Sequence, residues 1–301
     1  MTRIVVTGAT GQVGWELVRT LLPLGEVLAP SRAELDLRRA DALREYLRAL
    51  TPDVIVNAAA YTAVDRAESE SDLAMAINGT APAVMAEEAK RCGALMVHYS
   101  TDYVFDGAKA SAYIENDDTD PQNAYGITKL AGEQAVRHSG ADHLVFRTSW
   151  IYGARGGNFL RTVLRLAHER TQLRIVADQI GAPTWSRLVA EATALAIKQV
   201  LAERREQNFE SGLYHLTGLG ETSWHGFAKR IVELAAMTPG IGPLRVGQVE
   251  PIASAEYPLP AKRPANSRLS SEAFMHRFGL ELPAWERCVK PVLDEVANAA
   301  S

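Results

Sequence analysis

The chain has 301 residues and a formal charge of −4 at pH 7, from 32 basic and 36 acidic side chains. This balance provides no basic surface to neutralise phosphates, so we expect no nucleic-acid partner. Two distant cysteines exclude a disulfide scaffold, and the chain has no apolar run near the roughly 20 residues that span a bilayer and no signal-peptide pattern, so we expect a cytoplasmic protein without a membrane partner.

The first half of the chain alternates short apolar runs with amphipathic stretches. The apolar runs predict β-strands and the amphipathic stretches predict helices. The predicted strands are Arg3–Thr7, Glu26–Ala29, Val54–Asn57, Leu95–Ser100 and Leu144–Trp150. The predicted helices are Gln12–Leu22, Ala40–Leu50, about 80–91 and Asn123–Ser139. Apolar strands that alternate with helices indicate an α/β fold of the Rossmann type, a doubly wound parallel sheet covered on both faces.

The second half is less regular. A helix is predicted at Arg187–Glu206, and a strand at Leu213–Thr217 that we expect to return to the first sheet. Residues 239–264 are rich in proline and glycine, which predicts mostly loop with short extended pieces. We therefore predict two domains. One comprises residues 1–148 with about 184–222, and a smaller C-terminal α/β domain comprises 149–183 and 223–301.

A glycine-rich loop joins the first strand to the first helix. Residues 7–14 read TGATGQVG, with Gly8, Gly11 and Gly14 in a GxxGxxG spacing. Gly8 permits the tight turn, Gly11 lets the backbone approach a pyrophosphate, and Gly14 allows close packing of helix on strand. A tight strand–helix turn without a ligand is the alternative, and the location between the first strand and the first helix favours dinucleotide binding.

Cofactor choice is read after the second strand. An acidic residue there would bind the adenosine 2′-hydroxyl and repel a 2′-phosphate. This chain has Pro30-Ser31-Arg32 instead, and Arg32 could accept a phosphate or be a solvated loop arginine. NADPH is therefore favoured and NADH stays open. Asp36 and Leu37 are expected to flank the adenine ring.

A tyrosine and a lysine lie four residues apart at the start of the helix predicted from residue 123. This spacing places Tyr125 and Lys129 on one helical face. A nearby ammonium favours the phenolate form and would bring the tyrosine pKa closer to a useful range. Ser100-Thr101 offers a hydroxyl at the end of the fourth strand, across the same crevice. A lone YxxxK is a weak signal, but its order after the glycine loop and the Ser-Thr strand end is specific.

These segments resemble the extended short-chain dehydrogenase/reductases and, within them, the dTDP-4-dehydrorhamnose reductase family. The resemblance covers nearly the whole chain, including its second half. The matching segments are TGATGQVGWEL (Thr7–Leu17), VIVNAAAYTAVDRAE (Val54–Glu68), STDYVFDG (Ser100–Gly107), YGITKLAGE (Tyr125–Glu133), RTSWIYG (Arg147–Gly153), DQIGAPTW (Asp178–Trp185) and RPANSRL (Arg263–Leu269).

The resemblance implies reduction of the 4-keto group of dTDP-4-dehydro-β-L-rhamnose by hydride from NADPH. It implies that Tyr125 protonates the developing alkoxide, that Lys129 holds the ribose, and that Thr101 hydrogen-bonds the reacting oxygen or the tyrosine. It places Gln12 and Val13 on the pyrophosphate, along with Gly11. It further implies a cofactor-binding role for Ala60, Tyr61, Thr62 and Tyr99, and a substrate-binding role for Thr101, Asp102, Trp150 and Arg263. Residues 1–148 with about 184–222 would then bind NADPH, and the smaller domain would bind the nucleotide sugar.

Several of these roles have structural alternatives. Trp150 could be a core residue at the end of an apolar strand, Asp102 a loop or capping carboxylate, and Arg263 a member of a surface ion pair. A homodimer is one assembly that the resemblance allows, because some relatives use a glutamate matching Glu16 in a Mg²⁺-dependent dimer. Glu191 is one candidate for a further ligand, with a solvated helix face as its alternative, so Mg²⁺ stays open and we assign no metal ligands.

Other members of the same superfamily carry out different reactions. Dehydratases carry a Thr-Asp-Glu run, whereas this chain has Tyr103 after Thr101 and Asp102, so the base that removes the C5 proton is missing. Another nucleotide-sugar 4-ketoreductase, an epimerase or a non-catalytic regulatory subunit of the same fold stays open. The regulatory alternative could dispense with Tyr125 or Lys129, yet both are present.

Overall fold

The computed structural model describes residues 1–299, which form a six-stranded sheet with helices on both faces and three small two-stranded sheets. In chain order the strands are β1 Arg3–Thr7, β2 Glu26–Leu28, β3 Val54–Asn57, β4 Leu95–Thr101, β5 His143–Thr148, β6 Ile151–Tyr152, β7 Gln172–Val176, β8 Ile180–Gly181, β9 Thr184–Trp185, β10 Gly212–His215, β11 Thr222–Ser223 and β12 Gln248–Ile252. The helices are α1 Gln12–Thr20, α2 Ala40–Leu50, α3 Val64–Ala67, α4 Ser71–Met75, α5 Ala81–Cys92, α6 Ala124–His138, α7 Phe159–Glu169, α8 Ser186–Arg205, α9 Trp224–Ala236, α10 Glu272–Phe278 and α11 Trp285–Asn298.

The six-stranded sheet is parallel throughout and has the order β10–β5–β4–β3–β1–β2. This confirms the predicted Rossmann-type fold and the return of the chain to the sheet, since β10 pairs with β5. The sheet grows in one direction from β1 to β2 and in the other from β1 to β3. Such a switch point leaves a crevice outside the carboxyl ends of the strands, where ligands bind in open α/β sheets.

Both faces of the sheet are covered by apolar side chains of the helices. On one face Leu17 of α1 and Ile197 of α8 pack with strand residues such as Val97. On the other, Leu47 of α2 and Met85 of α5 pack against the alternate strand residues. Because successive strand side chains point to opposite faces, continuous apolar runs are what a doubly covered sheet requires.

A third apolar cluster joins α7, α9 and α11 and includes Val163, Phe227 and Val289. The helix α10 lies outside this cluster, because its Phe274 and Phe278 pack against the core of the main sheet. The predicted division of the chain into two domains stays a prediction. None of the helices within residues 1–299 combines the length and the hydropathy of a bilayer-crossing segment.

The structure corrects sequence-based boundaries and the helix content of the second half. The last long strand of the first half, β5, ends at Thr148 and not at Trp150, because Trp150 has a φ of +48°, which no strand residue adopts. The first helix ends at Thr20, before a 3₁₀ turn that contains Pro23. The second half is also more helical than its irregular pattern indicated, with α7, α9 and α11 each longer than ten residues.

Candidate active site

A cavity of about 790 Å³ lies at the carboxyl ends of the sheet strands, along the switch point. It brings together residues from distant parts of the chain, as the parallel sheet predicts. The residues singled out from the sequence that line it are Gly8, Gly11, Gln12, Val13, Arg32, Asp36, Leu37, Ala60, Thr62, Tyr99, Thr101, Asp102, Tyr125, Lys129, Trp150 and Arg263. Gly14 and Tyr61 are not part of this lining. Both lie next to it, Gly14 where α1 packs on the glycine loop and Tyr61 in the loop after β3.

The glycine loop presents bare backbone at the start of α1. Gly8 has a φ of +76°, in the region that favours glycine, and a β-carbon on Gly14 would lie 2.1 Å from the Gly8 carbonyl oxygen. Gly14 therefore lets the helix approach the loop. The N-cap of α1 is Gly11, which has no side chain to accept a hydrogen bond. The N–H groups of the first turn, beside the cavity, therefore lack a capping side chain. This arrangement suits a pyrophosphate.

Two buried hydroxyls support the fit of a polar ligand at the other end of the cavity. Ser100 Oγ and Thr148 Oγ1 lie at the ends of β4 and β5, line the cavity and have no hydrogen-bond partner within residues 1–299. Buried polar groups are normally hydrogen-bonded, and an unpartnered one in a cavity wall indicates a missing partner. The groove therefore fits a dinucleotide: the glycine loop suits its pyrophosphate, and the two hydroxyls suit a polar substituent on the ring at its other end.

The adenosine end of the groove is framed by charged residues after β2. The exposed Arg32 lies on its wall. Asp36 accepts hydrogen bonds from the Arg38 guanidinium and backbone, and these hydrogen bonds lower the pKa of its carboxyl to about 2. Because Arg38 neutralises Asp36, the carboxylate does not oppose a phosphate held by Arg32.

Two asparagines hold the loop that follows β3. Asn57 accepts a hydrogen bond from the Thr7 hydroxyl at 2.7 Å and lies 3.1 Å from His98. Asn78 pairs with both backbone groups of Tyr61, at 2.8 and 3.1 Å. Asn57 also accepts from the Ala59 backbone N–H at 3.3 Å, so both asparagines anchor the backbone of this loop. Because the Tyr61 phenol donates to Glu70, away from the cavity, only the neighbours of Tyr61 in the loop reach the wall.

The helix α6 carries Tyr125 and Lys129 into the cavity. Its N-cap is Asn123, whose side chain accepts from the Gly126 backbone N–H at 2.8 Å, which fixes where the helix begins. Further along, a β-carbon on Gly132 would lie 2.0 Å from the Asn78 carbonyl oxygen, in the π-helical turn between α4 and α5. The two segments therefore touch backbone to backbone, and this contact sets how close α6 lies to the rest of the sheet.

The electrostatics of the pair differ from the expectation. Burial raises the pKa of Tyr125 above its ordinary value, against a lowering effect of the Thr101 hydroxyl. Burial lowers the pKa of Lys129 to about 8, and its ammonium donates to the Tyr99 carbonyl oxygen at 2.5 Å. The sign expected for Tyr125 from the Tyr–Lys spacing is thus reversed, because burial is the largest influence on the pKa of this phenol. The phenol stays protonated at neutral pH, as a proton donor must be.

Thr101 lies between Tyr125 and Asp102. Its hydroxyl donates to Asp102 Oδ1 at 3.1 Å and lowers the pKa of the neighbouring Tyr125 phenol against the larger effect of burial. Thr101 also ends β4 and accepts from the Tyr103 backbone N–H, so its side chain is fixed by the start of the following 3₁₀ turn. Asp102, the first residue of this turn, is 3% exposed and lines the cavity.

Trp150 is held in an unusual conformation at the rim of the cavity. Its left-handed φ of +48° is costly for a bulky residue, so the surrounding structure must fix it. Its indole stacks on Trp224 with ring centroids 3.6 Å apart and an interplanar angle of 11°. A β-carbon on Gly181 would lie 2.6 Å from the same indole, so the absence of that atom makes room for it. Trp150 is therefore a cavity residue and not a core residue.

Arg263 is bound by Asp65 at 2.7 Å and by the Tyr103 hydroxyl at 3.1 Å. The sequence offered a substrate-binding and an ion-pair role as alternatives, and in the structure Arg263 is both ion-paired and part of the cavity wall. Tyr103 contacts Tyr125 edge to face, with ring centroids 5.4 Å apart. Tyr103 therefore connects the Arg263–Asp65 ion pair to the part of the cavity wall beside Tyr125.

Glu16 lies outside the cavity and is bound by arginines. Its carboxylate is 3.2 Å from Arg187 Nε and 3.4 Å from an Arg19 nitrogen. Across residues 1–299 we find no group of three or more histidine, cysteine or acidic side chains that could hold a metal ion. We accordingly propose no metal.

Sequence reasoning missed several residues on the cavity wall, among them Tyr103, Thr148, Ser149 and Trp224. Thr148 and Ser149 lie within the RTSWIYG segment, so the matched motif itself could have indicated them. Trp224 belongs to no motif that we recognised, and only the pairing of β11 with β8 brings it to Trp150.

Comparison with known proteins gives one consistent result. Residues 1–298 match the protein family described as RmlD substrate binding domain. A dTDP-4-dehydrorhamnose reductase of Burkholderia thailandensis is 54% identical over 297 residues, which cover 97% of this chain and 100% of the relative. One of Escherichia coli K12 is 46% identical over 297 residues, 97% of each chain. The crystal structure of a Bacillus anthracis dTDP-4-dehydrorhamnose reductase in complex with NADP has a TM-score of 0.87 at 33% identity and covers 98% of this chain and 100% of that one.

Proposed function

We propose that this chain, which belongs to the RmlD substrate binding domain family, is an NADPH-dependent oxidoreductase. It reduces the 4-keto group of dTDP-4-dehydro-β-L-rhamnose and gives dTDP-β-L-rhamnose, a polysaccharide precursor. The observation that carries the proposal is the meeting of Tyr125, Thr101 and Lys129 in the cavity that the glycine loop borders. The relatives named dTDP-4-dehydrorhamnose reductase, aligned over nearly their full length, support the choice of substrate.

The chain's own groups perform the acid–base part of the reaction. NADPH, when bound, supplies the hydride for the carbonyl carbon. Tyr125 donates its proton to the carbonyl oxygen as negative charge develops there, and the Thr101 hydroxyl lowers the pKa of the phenol and so favours this transfer. Lys129 presents an ammonium beside the Tyr99 carbonyl, where a ribose hydroxyl could be held.

The remaining wall divides by chemistry into a cofactor part and a substrate part. The glycine loop, Arg32, Asp36 and Leu37 border the end that suits an adenosine phosphate, and the loop after β3 continues toward Tyr99. Asp102, Trp150 and Arg263 border the opposite part, which offers a carboxyl, an aromatic face and a cation to a sugar diphosphate. We assign the nucleotide sugar to that part.

Arg32→Glu should weaken NADPH binding about 10- to 100-fold relative to NADH. An arginine hydrogen bond to a charged group contributes about 1.5–3 kcal/mol, and about 1.4 kcal/mol corresponds to a tenfold change in affinity. Titration of cofactor fluorescence with both nucleotides measures the ratio. Arg39→Glu, at an exposed arginine outside the cavity lining, is the matched control for charge alone. An unchanged NADPH-to-NADH ratio in Arg32→Glu would show that another group binds the 2′-phosphate.

Trp224→Ala should abolish the exciton couplet that two stacked indoles give in circular dichroism, and should raise the KM for the nucleotide sugar several-fold. Stacked aromatic pairs contribute about 0.5–1.5 kcal/mol beyond the area that they bury. Without the stack, Trp150 loses the contact that holds its left-handed backbone. Trp224→Phe should restore most of the KM without the couplet. A KM equal to wild type in Trp224→Ala would contradict a binding role for Trp150.

The direct test of the function is to mix the purified protein with NADPH and dTDP-4-dehydro-β-L-rhamnose and to follow the nicotinamide absorbance. Substrate-dependent loss of absorbance supports the reductase. Tight NADPH binding without turnover would overturn the proposal and favour a regulatory protein of the same fold, and turnover only with another 4-keto sugar nucleotide would correct the substrate.

A further inference from the structure

A side-chain contact joins the start of α1 to the start of α7. Asn158 Nδ2 donates a hydrogen bond to Gln12 Oε1 at 3.0 Å, and both side chains are half-buried. Gln12 is the first residue of α1 and lines the cavity beside the glycine loop, whereas Asn158 lies outside that lining. The contact therefore connects the second half of the chain to the part of the groove that suits a pyrophosphate.

The amide of Asn158 has only one favourable orientation. Its Oδ1 accepts from the Arg161 backbone N–H at 3.1 Å and so caps α7. Its Nδ2 also donates to the carbonyl oxygens of Gly153 at 2.9 Å and of Arg155 at 3.2 Å. A flipped amide would place its oxygen against two carbonyl oxygens and its nitrogen against an N–H donor. Asn158 therefore presents a donor, and not an acceptor, to Gln12.

This donor determines which end of the Gln12 amide is left for a ligand. Since Gln12 turns its oxygen to Asn158, its Nε2 lies on the other side of the amide with two N–H donors. Nε2 has no hydrogen-bond partner within residues 1–299. A β-carbon on Gly156 would lie 3.3 Å from Gln12 Cγ, so the backbone there closes one side of the Gln12 side chain. The cavity is the side that stays open to the two N–H groups.

The loop that carries Asn158, residues 153–158, is itself held against α1. The Arg155 guanidinium lies over the ring of Trp15 at 4.3 Å from its centroid. Gly156 and Gly157 of the same loop line the cavity. The loop thus borders the groove, and its contact with α1 is made both at the Gln12 amide and at the exposed surface of the helix.

We propose, on the basis of the NADPH-dependent function proposed above, that Asn158 is a positioning residue for the cofactor, which orients the Gln12 amide so that its N–H groups face the pyrophosphate. A pyrophosphate has only acceptor oxygens, and hydrogen bonds to a charged acceptor are stronger than those between neutral groups. An amide that rotates freely presents its oxygen to the phosphates as readily as its nitrogen. Asn158 removes that alternative before the cofactor binds, which reduces the ordering that binding requires.

The test is a double-mutant cycle in cofactor affinity, measured by fluorescence titration of the purified protein with NADPH. Gln12→Ala removes the amide and should raise the NADPH dissociation constant about tenfold. Asn158→Ser keeps an oxygen that caps α7 but loses the amide N–H groups, and should raise the constant about three- to tenfold. Because Asn158 acts through Gln12, the double variant should bind NADPH as Gln12→Ala does. NADH has the same pyrophosphate, so the same factors should hold for NADH, unlike those of Arg32→Glu.

Arg155→Lys is the matched control for the placement of the loop. It keeps the positive charge and the hydrogen bond from Asn158 to Gln12, but loses the planar group that stacks on Trp15. The affinity for NADPH should stay within about twofold of wild type. A loss equal to that of Asn158→Ser would show that the position of the loop, and not the orientation of the amide, controls cofactor binding.

Two further results would overturn the proposal. One is wild-type NADPH affinity in Asn158→Ser, and the other is a double variant in which the losses of the two single variants multiply. Thermal unfolding of Asn158→Ser should stay within about 2 °C of wild type, since serine caps a helix about as well as asparagine. If it does not, Asn158→Thr takes its place in the same cycle. A wild-type protein that binds NADPH but does not reduce the nucleotide sugar would refute the reductase function and leave this inference standing.

Discussion

Tyr125→Phe should lower turnover by about 10²–10⁴-fold while leaving the NADPH dissociation constant nearly unchanged, since positioned acid catalysis contributes about that factor. The substitution removes only the phenolic oxygen, and the ring contact with Tyr103 at 5.4 Å is kept. Steady-state kinetics with NADPH and the nucleotide sugar measures the loss of turnover, and fluorescence titration measures cofactor affinity.

Tyr103→Phe is the matched control, because both tyrosines line the same cavity. Tyr103 loses one hydrogen bond from Arg263, which contributes about 1 kcal/mol, so turnover should stay within about tenfold of wild type. Equal losses in the two variants, or near-wild-type turnover of Tyr125→Phe, would refute the role of Tyr125 as the proton donor.

Arg147→Met should lower the free energy of unfolding by about 3–5 kcal/mol, because it leaves a buried carboxylate without its main partner. The side chains of Arg147 and Glu133 are 1% and 0% exposed, and their nearest atoms are 2.6 Å apart. Arg137 also approaches Glu133 but at 3.6 Å and from the surface. Urea unfolding followed by circular dichroism gives the change from the shift of the midpoint at constant slope.

The double variant Arg147→Met with Glu133→Leu should recover much of this loss, since replacing a buried ion pair with apolar residues of similar volume is often neutral. Arg165→Met, which breaks an exposed pair with Glu169 on α7, should cost less than about 1 kcal/mol. If the two single variants lose equal stability, the buried pair has no special contribution, and our account of this region is wrong.

The parts of the fold and site that were predictable have local signals. The strand β1, the glycine loop and α1 are contiguous in sequence, so the apolar run and the glycine spacing predict both the elements and the ligand they suit. The four-residue spacing from Tyr125 to Lys129 likewise predicts the functional face of α6, although Asn123 is its N-cap and not its first helical residue.

The rest depends on contacts between distant segments. Trp224 reaches Trp150 only because β11 pairs with β8, and no periodic pattern encodes that pairing. The reversed pKa direction of Tyr125 depends on burial, which no i to i+4 spacing reveals. The alternative roles of Arg263 could not be separated, because the ion pair with Asp65 and the place on the cavity wall coexist.

The close approach of Gly132 to the Asn78 carbonyl determines which positions of α6 can be substituted. The depth of α6 is set by main-chain atoms on its inner side, so its outward residues are free to differ. Ile127, two positions from Tyr125 and 50% exposed, faces away from that contact. It is therefore a suitable position for a fluorophore or a tether that reports on the catalytic helix, whereas any residue larger than glycine at 132 would push the whole helix, and its reactive phenol, away from the crevice.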